Sequence, residues 1–328
     1  MYGRLDAGYS DVETKSSISD LNNSSSGISS GNLNSSLWGL KGSEDLGGGL
    51  KANFQLESSV DLTTGASTKG FDRVSTLGLS GNFGEVKIGR DYTPIYSVIG
   101  AGDVFGRTGA TTFGLIPTGT RTSKMISYAT PSFAGFTVKA MAGDNKAIVE
   151  GAAETSNRTM GLSGTYANGP LMVAIGWGES EGASSDASTV MGASVDTAAG
   201  GKQDGTAITA TYDFGVAKLF ANYTQAEITT ATPGNRLKAK ETNLGVAVPL
   251  GAFTLLAAYG HNEVDVNYGA TNIDGDGNDY VLGVTYGLSK RTTLYAKAGT
   301  YNKISGTASN VNADYKSTAT AFGVRHTF

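Results

Sequence analysis

No cysteine occurs in the 328 residues, so neither a disulfide framework nor a thiolate metal site can be built. That absence suits passage through an oxidising compartment. Histidine is almost as scarce: His261 and His326 are the two present, which leaves little material for general acid–base or nucleophilic chemistry. No apolar run approaches the roughly 18 residues expected of a membrane helix. Strands are not excluded by this, because one crosses a bilayer with about 10 residues of which alternate ones are apolar. The net charge is -4 and no basic patch stands out, which argues against a nucleic-acid partner.

What the chain has in quantity is glycine, 47 residues, with 15 tyrosines and 12 phenylalanines. Short turn signals recur between alternating segments. They lie at 43–49, 82–85, 131–135, 167–170, 213–216, 249–252 and 287–291. Each joins one hairpin, which gives about fourteen strands, and two terminal strands make about sixteen. Alternation within the strands agrees. Leu77 and Leu79 precede one turn and Val86 and Ile88 follow it, while Leu171, Val173, Ile175 and Trp177 alternate with small residues. Tyr280, Leu282, Val284, Tyr286 and Leu288 form another apolar row. The opposite faces carry Thr, Asn, Gln, Lys and Gly, a wet interior that a soluble β-sandwich does not have.

The C-terminal strand places Phe322, Val324, His326 and Phe328 on one face, and its edge must be closed against another strand. The segment Met1–Tyr9 is the natural partner. The predicted fold is therefore all-β: a transmembrane antiparallel barrel of about 16 strands, one domain over 1–328, with short turns on one side and long loops on the other. The chain starts inside its first strand, which fits a leader removed ahead of Met1. Three connections (16–36, 180–205 and 265–279) are polar and of low complexity, as water-facing loops are. Residues 91–119 differ, carrying Tyr92, Ile95, Tyr96, Val98, Ile99, Phe105 and Phe113. So apolar a loop packs against something, and the lumen is the available surface.

Three stretches carry a resemblance to the general porins of β-proteobacteria. Leu40-Lys41-Gly42-Ser43-Glu44-Asp45-Leu46-Gly47-Gly48-Gly49-Leu50-Lys51-Ala52 resembles their early hairpin. Leu77-Gly78-Leu79-Ser80-Gly81-Asn82-Phe83-Gly84-Glu85-Val86-Lys87-Ile88-Gly89-Arg90 resembles the hairpin entering their third loop. Ile126-Ser127-Tyr128, with Pro131, Phe133, Gly135 and Phe136, resembles the strand pair leaving it. Leu288-Ser289-Lys290-Arg291-Thr292 and the terminal Phe328 add to the match. The resemblance implies a homotrimer of sixteen-stranded barrels in the outer membrane of a Gram-negative bacterium, in contact with lipid and lipopolysaccharide. It implies a third loop, 91–119, folded inward as the constriction, and Phe328 as part of the barrel-assembly signal. Ions and small hydrophilic solutes would pass by diffusion, with no cofactor or energy source. Anion-selective members face that loop with an arginine wall, of which Leu37 and Val74 occupy two positions here. Arg73 adjoins Val74 but has the opposite parity, and Arg121 occupies the third position.

Parity then assigns the lumen face. Tyr2, Arg4, Asp6, Lys41, Asn53, Gln55, Glu57, Lys87, Arg121, Lys139, Lys218, Lys297 and Arg325 are expected to point inward. Asp91 and Asp103 are expected to form the acidic side of the constriction, with Arg107 in the same loop. Arg4 with Asp6 can instead be a mere pair, and Lys41, Lys87 and Lys297 can lie at the periplasmic rim. The resulting expectation is a general diffusion pore, weakly anion-preferring or nearly non-selective. The alternatives are a channel for small organic anions, with Tyr92, Tyr96 and Phe105 as a contact track, and a plugged surface-binding barrel. Asp274, Asp276 and Asn278 have the 1,3,5 spacing of a calcium loop. Asp279 stands where that loop needs glycine, so an acidic loop tip competes with a metal site. His261 is the one candidate base, and nothing builds a triad around it.

Overall fold

A computed structural model describes residues 1–17, 22–67, 70–106, 118–144, 158–182, 188–190, 193–195, 201–230, 232–268, 271–308 and 311–328. The seven predicted turns all join antiparallel hairpins. In chain order the strands are β1 (Tyr2–Ser16), β2 (Asn23–Ser30), β3 (Leu37–Gly47), β4 (Leu50–Ser59), β5 (Val74–Gly81) and β6 (Gly84–Tyr92). After a helix α1 (Pro94–Ala101) come β7 (Arg121–Ala129), β8 (Phe136–Asp144), β9 (Arg158–Asn168) and β10 (Leu171–Glu181). A small separate hairpin, β11 (Ser188–Val190) and β12 (Ala193–Val195), precedes β13 (Lys202–Asp213) and β14 (Lys218–Thr229). The chain ends with β15 (Arg236–Leu250), β16 (Phe253–Tyr268), β17 (Thr271–Gly287), β18 (Thr292–Ala308) and β19 (Val311–Thr327).

One sheet holds seventeen of these strands. β2 and β3 pair successive parts of β1, with Ala7–Thr14 opposite Ser30–Asn23 and Tyr2–Arg4 opposite Gly39–Leu37. They therefore make one interrupted stave, and the barrel has sixteen. It closes through β1 and β19, in register from Arg4↔Thr327 to Ser16↔Tyr315. Gly3 and Phe328 exchange backbone hydrogen bonds of 3.0 and 3.1 Å beyond that ladder.

Two of the predicted loops are strand for much of their length. β2 lies within 16–36, and 265–279 belongs largely to β16 and β17. Ser, Asn, Asp and Gly are tolerated there because these strands rise beyond the apolar band. Their outward residues pair across strands instead, as in Lys240–Glu263 at 3.0 Å and Arg236–Asp265 at 3.3 Å. Lower down the outward face is apolar: Leu77, Ile88, Ile126, Ile175 and Leu282 are all exposed. Ring pairs Phe136–Tyr166, Tyr212–Phe214 and Phe253–Tyr286 sit beside the short turns, with centroids 4.4 to 4.6 Å apart. This is an aromatic girdle at one edge of the band.

The described start of the connection after β6, residues 93–106, folds into the lumen. Thr93 caps α1 by accepting from the Tyr96 amide, and Pro94 occupies the first turn, where no N–H is needed. Ile95, Val98 and Ile99 then fall on one face by their i, i+3, i+4 spacing and pack with Ala174 and Ala207 of the barrel wall. Both isoleucines are fully buried, each contributing about 1.5–3 kcal/mol relative to exposure. The wall receives the helix because it lacks side chains there. A Cβ on Gly176 would lie 3.0 Å from Ile95, and one on Gly283 would lie 2.7 Å from the Phe105 ring. Val98 O accepts from Thr209 Oγ1 at 2.8 Å, which adds a polar tether.

Gly176→Val should force α1 off this wall at a cost of about 1–3 kcal/mol. Single-channel conductance is expected to fall as the helix moves into the lumen, while the barrel keeps its resistance to SDS. Unchanged conductance would show that α1 is not docked there.

Candidate constriction site

Closing the sheet gives every stave one lumen face, and the loop turns part of that lumen into a gap. On its far side from the wall, α1 presents Tyr96, Ser97 and Gly100. Arg4, Ser35, Arg73 and Tyr92 line the same space, which is open to the lumen and about 270 Å³. A hydrogen-bonded chain orders the basic side. Gln55 Nε2 donates to Tyr2 Oη at 2.8 Å, and Tyr2 Oη donates to Glu57 Oε2 at 3.1 Å. Arg73 Nε donates to Glu57 Oε1 at 2.7 Å. The Nη2 atoms of Arg73 and Arg121 both donate to Tyr92 Oη, each at 2.7 Å. The Arg121 guanidinium also lies over the Tyr92 ring, 4.3 Å from its centroid.

Arg73 enters this site against its parity. Alternation holds only inside a strand, and Arg73 precedes β5, held by its own amide donating to Glu57 O at 3.0 Å. The turn before it is fixed by Asp72. Burial works against that carboxylate, yet the Ser59 hydroxyl and amide, at 2.6 and 2.8 Å, hold it below the usual carboxylate range. Asp72 O in turn accepts from Arg90 Nε at 2.7 Å. Arg90 lies inside β6, at a register shift between Gly89 and Asp91 that interrupts the alternation.

Arg4 points inward as expected and is not paired with Asp6 through a hydrogen bond. Its Nε and Nη2 donate to Ser35 O at 3.1 and 3.0 Å. It stands directly opposite Leu37 on the same face, so a guanidinium occupies this level although position 37 is apolar. Asp6 has a different task. It is fully buried and accepts from Leu33 N at 3.0 Å, Asn34 N at 2.7 Å and Tyr295 Oη at 2.6 Å. The interruption between β2 and β3 is thereby pinned as an inward shelf. Arg325 braces the same shelf, donating to Asn34 Oδ1 at 2.5 Å and Thr293 Oγ1 at 3.3 Å.

The expected acidic side is not where the sequence suggested. Asp91 and Asp103 are 8% and 6% exposed. Asp91 lies 3.6 Å from Lys139 Nζ, which also donates to Tyr92 O at 3.4 Å. Asp103 accepts from Phe105 N at 2.8 Å. Their carboxylates are tucked behind the loop, because charges near a docked loop are better used to hold its backbone. Arg107 lies outside the described residues.

Lys41 and Lys87 line a vestibule on the short-turn side of the gap. Lys41 sits 5.3 Å from the Tyr2 ring centroid, and Lys87 pairs with Glu85 at 3.1 Å. Lys218 lies beside the turn after β13, 5.1 Å from the Phe220 ring. Lys297 is not at the rim: it is 5% exposed and lies 5.9 Å from the Phe105 ring under the loop. Asp274, Asp276 and Asn278 form no calcium loop and no loop tip. They are alternate residues of β17, so the extended backbone separates neighbours by about 7 Å and they cannot converge on one ion. Asn278 Oδ1 instead accepts from Tyr259 Oη at 2.7 Å and lies 3.0 Å from His261 Nδ1. Among the described residues no group of three or more His, Cys, Asp or Glu side chains is arranged for a metal.

The closed sixteen-stave barrel has counterparts among solved porins, and a family model for Gram-negative porins matches residues 1–305. The chain belongs to the Gram-negative porin family. This porin is 34% identical to outer membrane porin protein 32 of Delftia acidovorans, over 92% of the chain and 87% of that protein. It is 31% identical to an outer membrane porin protein of Bordetella pertussis, over 100% of the chain and 94% of that protein. Among solved structures, an anion-selective porin from Comamonas acidovorans superposes with a TM-score of 0.80 at 28% identity, covering 100% and 98% of the two chains. The porin is thus an integral outer-membrane barrel that works as a channel.

Asp6→Ala should destabilise the barrel strongly. It strips three buried donors of their acceptor, and each such loss costs about 1–3 kcal/mol. The temperature at which the SDS-resistant folded band disappears is expected to drop, with Asp6→Asn intermediate. A variant as heat-resistant as the parent would contradict the shelf's role.

Proposed function

We propose that this porin is a general diffusion channel with an anion preference set in the gap between α1 and the basic wall. The carrying observation is an asymmetry of charge. Arg4, Arg73 and Arg121 cluster on or beside one side, while the described loop residues facing them are a tyrosine, a serine and glycines. Glu57 offsets Arg73 at 2.7 Å, so Arg4 and Arg121 carry the net positive field. A unit charge about 4 Å from a passing ion contributes about 1 kcal/mol even at the dielectric constant of water, and more where the walls exclude water. That favours chloride over potassium several-fold without a binding step slow enough to block flow.

The anion-selective character of the Comamonas acidovorans relative supports the same sign here. Small hydrophilic solutes would follow by diffusion through the single barrel of residues 1–328, with 91–119 as the constriction. Family membership further supports a homotrimer, with lipid and lipopolysaccharide around it. Phe328, tied to Gly3 at the closing seam, fits the terminal aromatic of an assembly signal. Hydrolysis of a substrate has no comparable support.

Reconstituted in a planar bilayer under a KCl gradient, the porin is expected to show a zero-current potential of the sign set by chloride. The preference should shrink as salt rises from about 0.1 M to about 1 M, where the screening length falls from ~10 to ~3 Å. A potassium-signed potential would overturn the proposal.

A further inference from the structure

The gap that discriminates charge also contains aromatic rings. Tyr92 and Tyr96 stack with centroids 5.1 Å apart and planes 14° from parallel. The Arg121 guanidinium covers Tyr92 at 4.3 Å, so guanidinium, ring and ring form consecutive layers. Both rings line the same space as Arg4 and Arg73. The layering is built by the backbone: Tyr92 ends β6, Thr93 caps α1, and Tyr96 follows in its first turn.

Neither guanidinium uses all of its donors. Ser35 O takes Nε and Nη2 of Arg4, and Glu57 and Tyr92 take Nε and Nη2 of Arg73. Among the described residues these bonds leave both Nη1 groups for a solute. Carboxylate is the anion whose geometry a guanidinium best matches. Beside it, a phenol ring favours an aromatic partner over a saturated one by its quadrupole. The space, about 270 Å³ and open to the lumen, has room for a single ring.

We propose that the constriction is a transit site for small planar aromatic carboxylates, the carboxylate on Arg4 and Arg73 and the ring against the Tyr92–Tyr96 stack. This rests on the anion-channel reading, and the two separate in one experiment. Chloride current through single channels is titrated with benzoate and with cyclohexanecarboxylate, which share charge and size. Benzoate is expected to reduce the current at a concentration about fivefold lower, the order that ring stacking supplies. Tyr96→Leu should abolish that difference and Tyr96→Phe should keep it. The KCl zero-current potential of the parent porin is read alongside, as the separate check on the anion-channel reading. Equal sensitivity to the two acids, with a chloride-signed potential, would overturn the aromatic site and leave the anion channel standing. A benzoate preference that survives Tyr96→Leu would overturn the assignment to this stack. A potassium-signed potential would remove the anion-channel reading and this one with it.

Discussion

A backbone in hydrocarbon has no partner but itself, and that constraint organises the whole molecule. Strands can satisfy it only if the sheet has no edge, so β1 and β19, at opposite ends of the chain, must meet. Once they do, side-chain direction is fixed everywhere by alternation. Leu77 and Leu282 face outward, while Arg4 and Glu57 face a wet lumen. The same closure makes Phe328 part of the seam, because its backbone completes the ladder with Gly3.

Sixteen staves enclose more space than a selective channel can use, and the chain narrows it from two directions. From one side the loop after β6 lies along a wall cleared by glycines such as Gly176 and Gly283. From the other, the break between β2 and β3 turns inward and is held by buried Asp6. The two devices meet where Gly106 of the loop approaches Asn34 of the shelf. Charge is then distributed by what each element needs for its own stability. Asp91 at the end of β6 and Asp103 of the loop make local contacts, and the arginines remain turned toward the gap.

Much of this architecture can be read from residue order. Turn chemistry at Gly47, Asn82 and Asn168, together with apolar alternation, depends on local stereochemistry, and so the hairpins, the strand count and the terminal seam are legible. The apolar content of the third loop is legible too, since Ile95, Val98 and Ile99 must be buried somewhere. What fails is whatever depends on where alternation stops. Arg73 lies one residue before β5 and escapes the rule, and Asp91 lies inside β6 but pairs laterally with Lys139. The acidic run around Asp274 reads as a loop because its composition is polar. The strand continues above the membrane, where cross-strand partners such as Asn278 and Tyr259 satisfy it. Arg4 replacing the charge absent at Leu37 becomes visible only through the pairing of β1 with β3.

The central claim is that selectivity resides in the gap and not in the basic vestibule below it. Two charge-matched double variants test this directly: Arg4→Gln with Arg121→Gln at the gap, and Lys41→Gln with Lys87→Gln in the vestibule. Each removes two positive charges and leaves the Arg73–Glu57 pair intact. Zero-current potentials in a KCl gradient should fall toward zero, or change sign, for the gap variant and stay near the parent value for the vestibule variant. The opposite order would contradict the account.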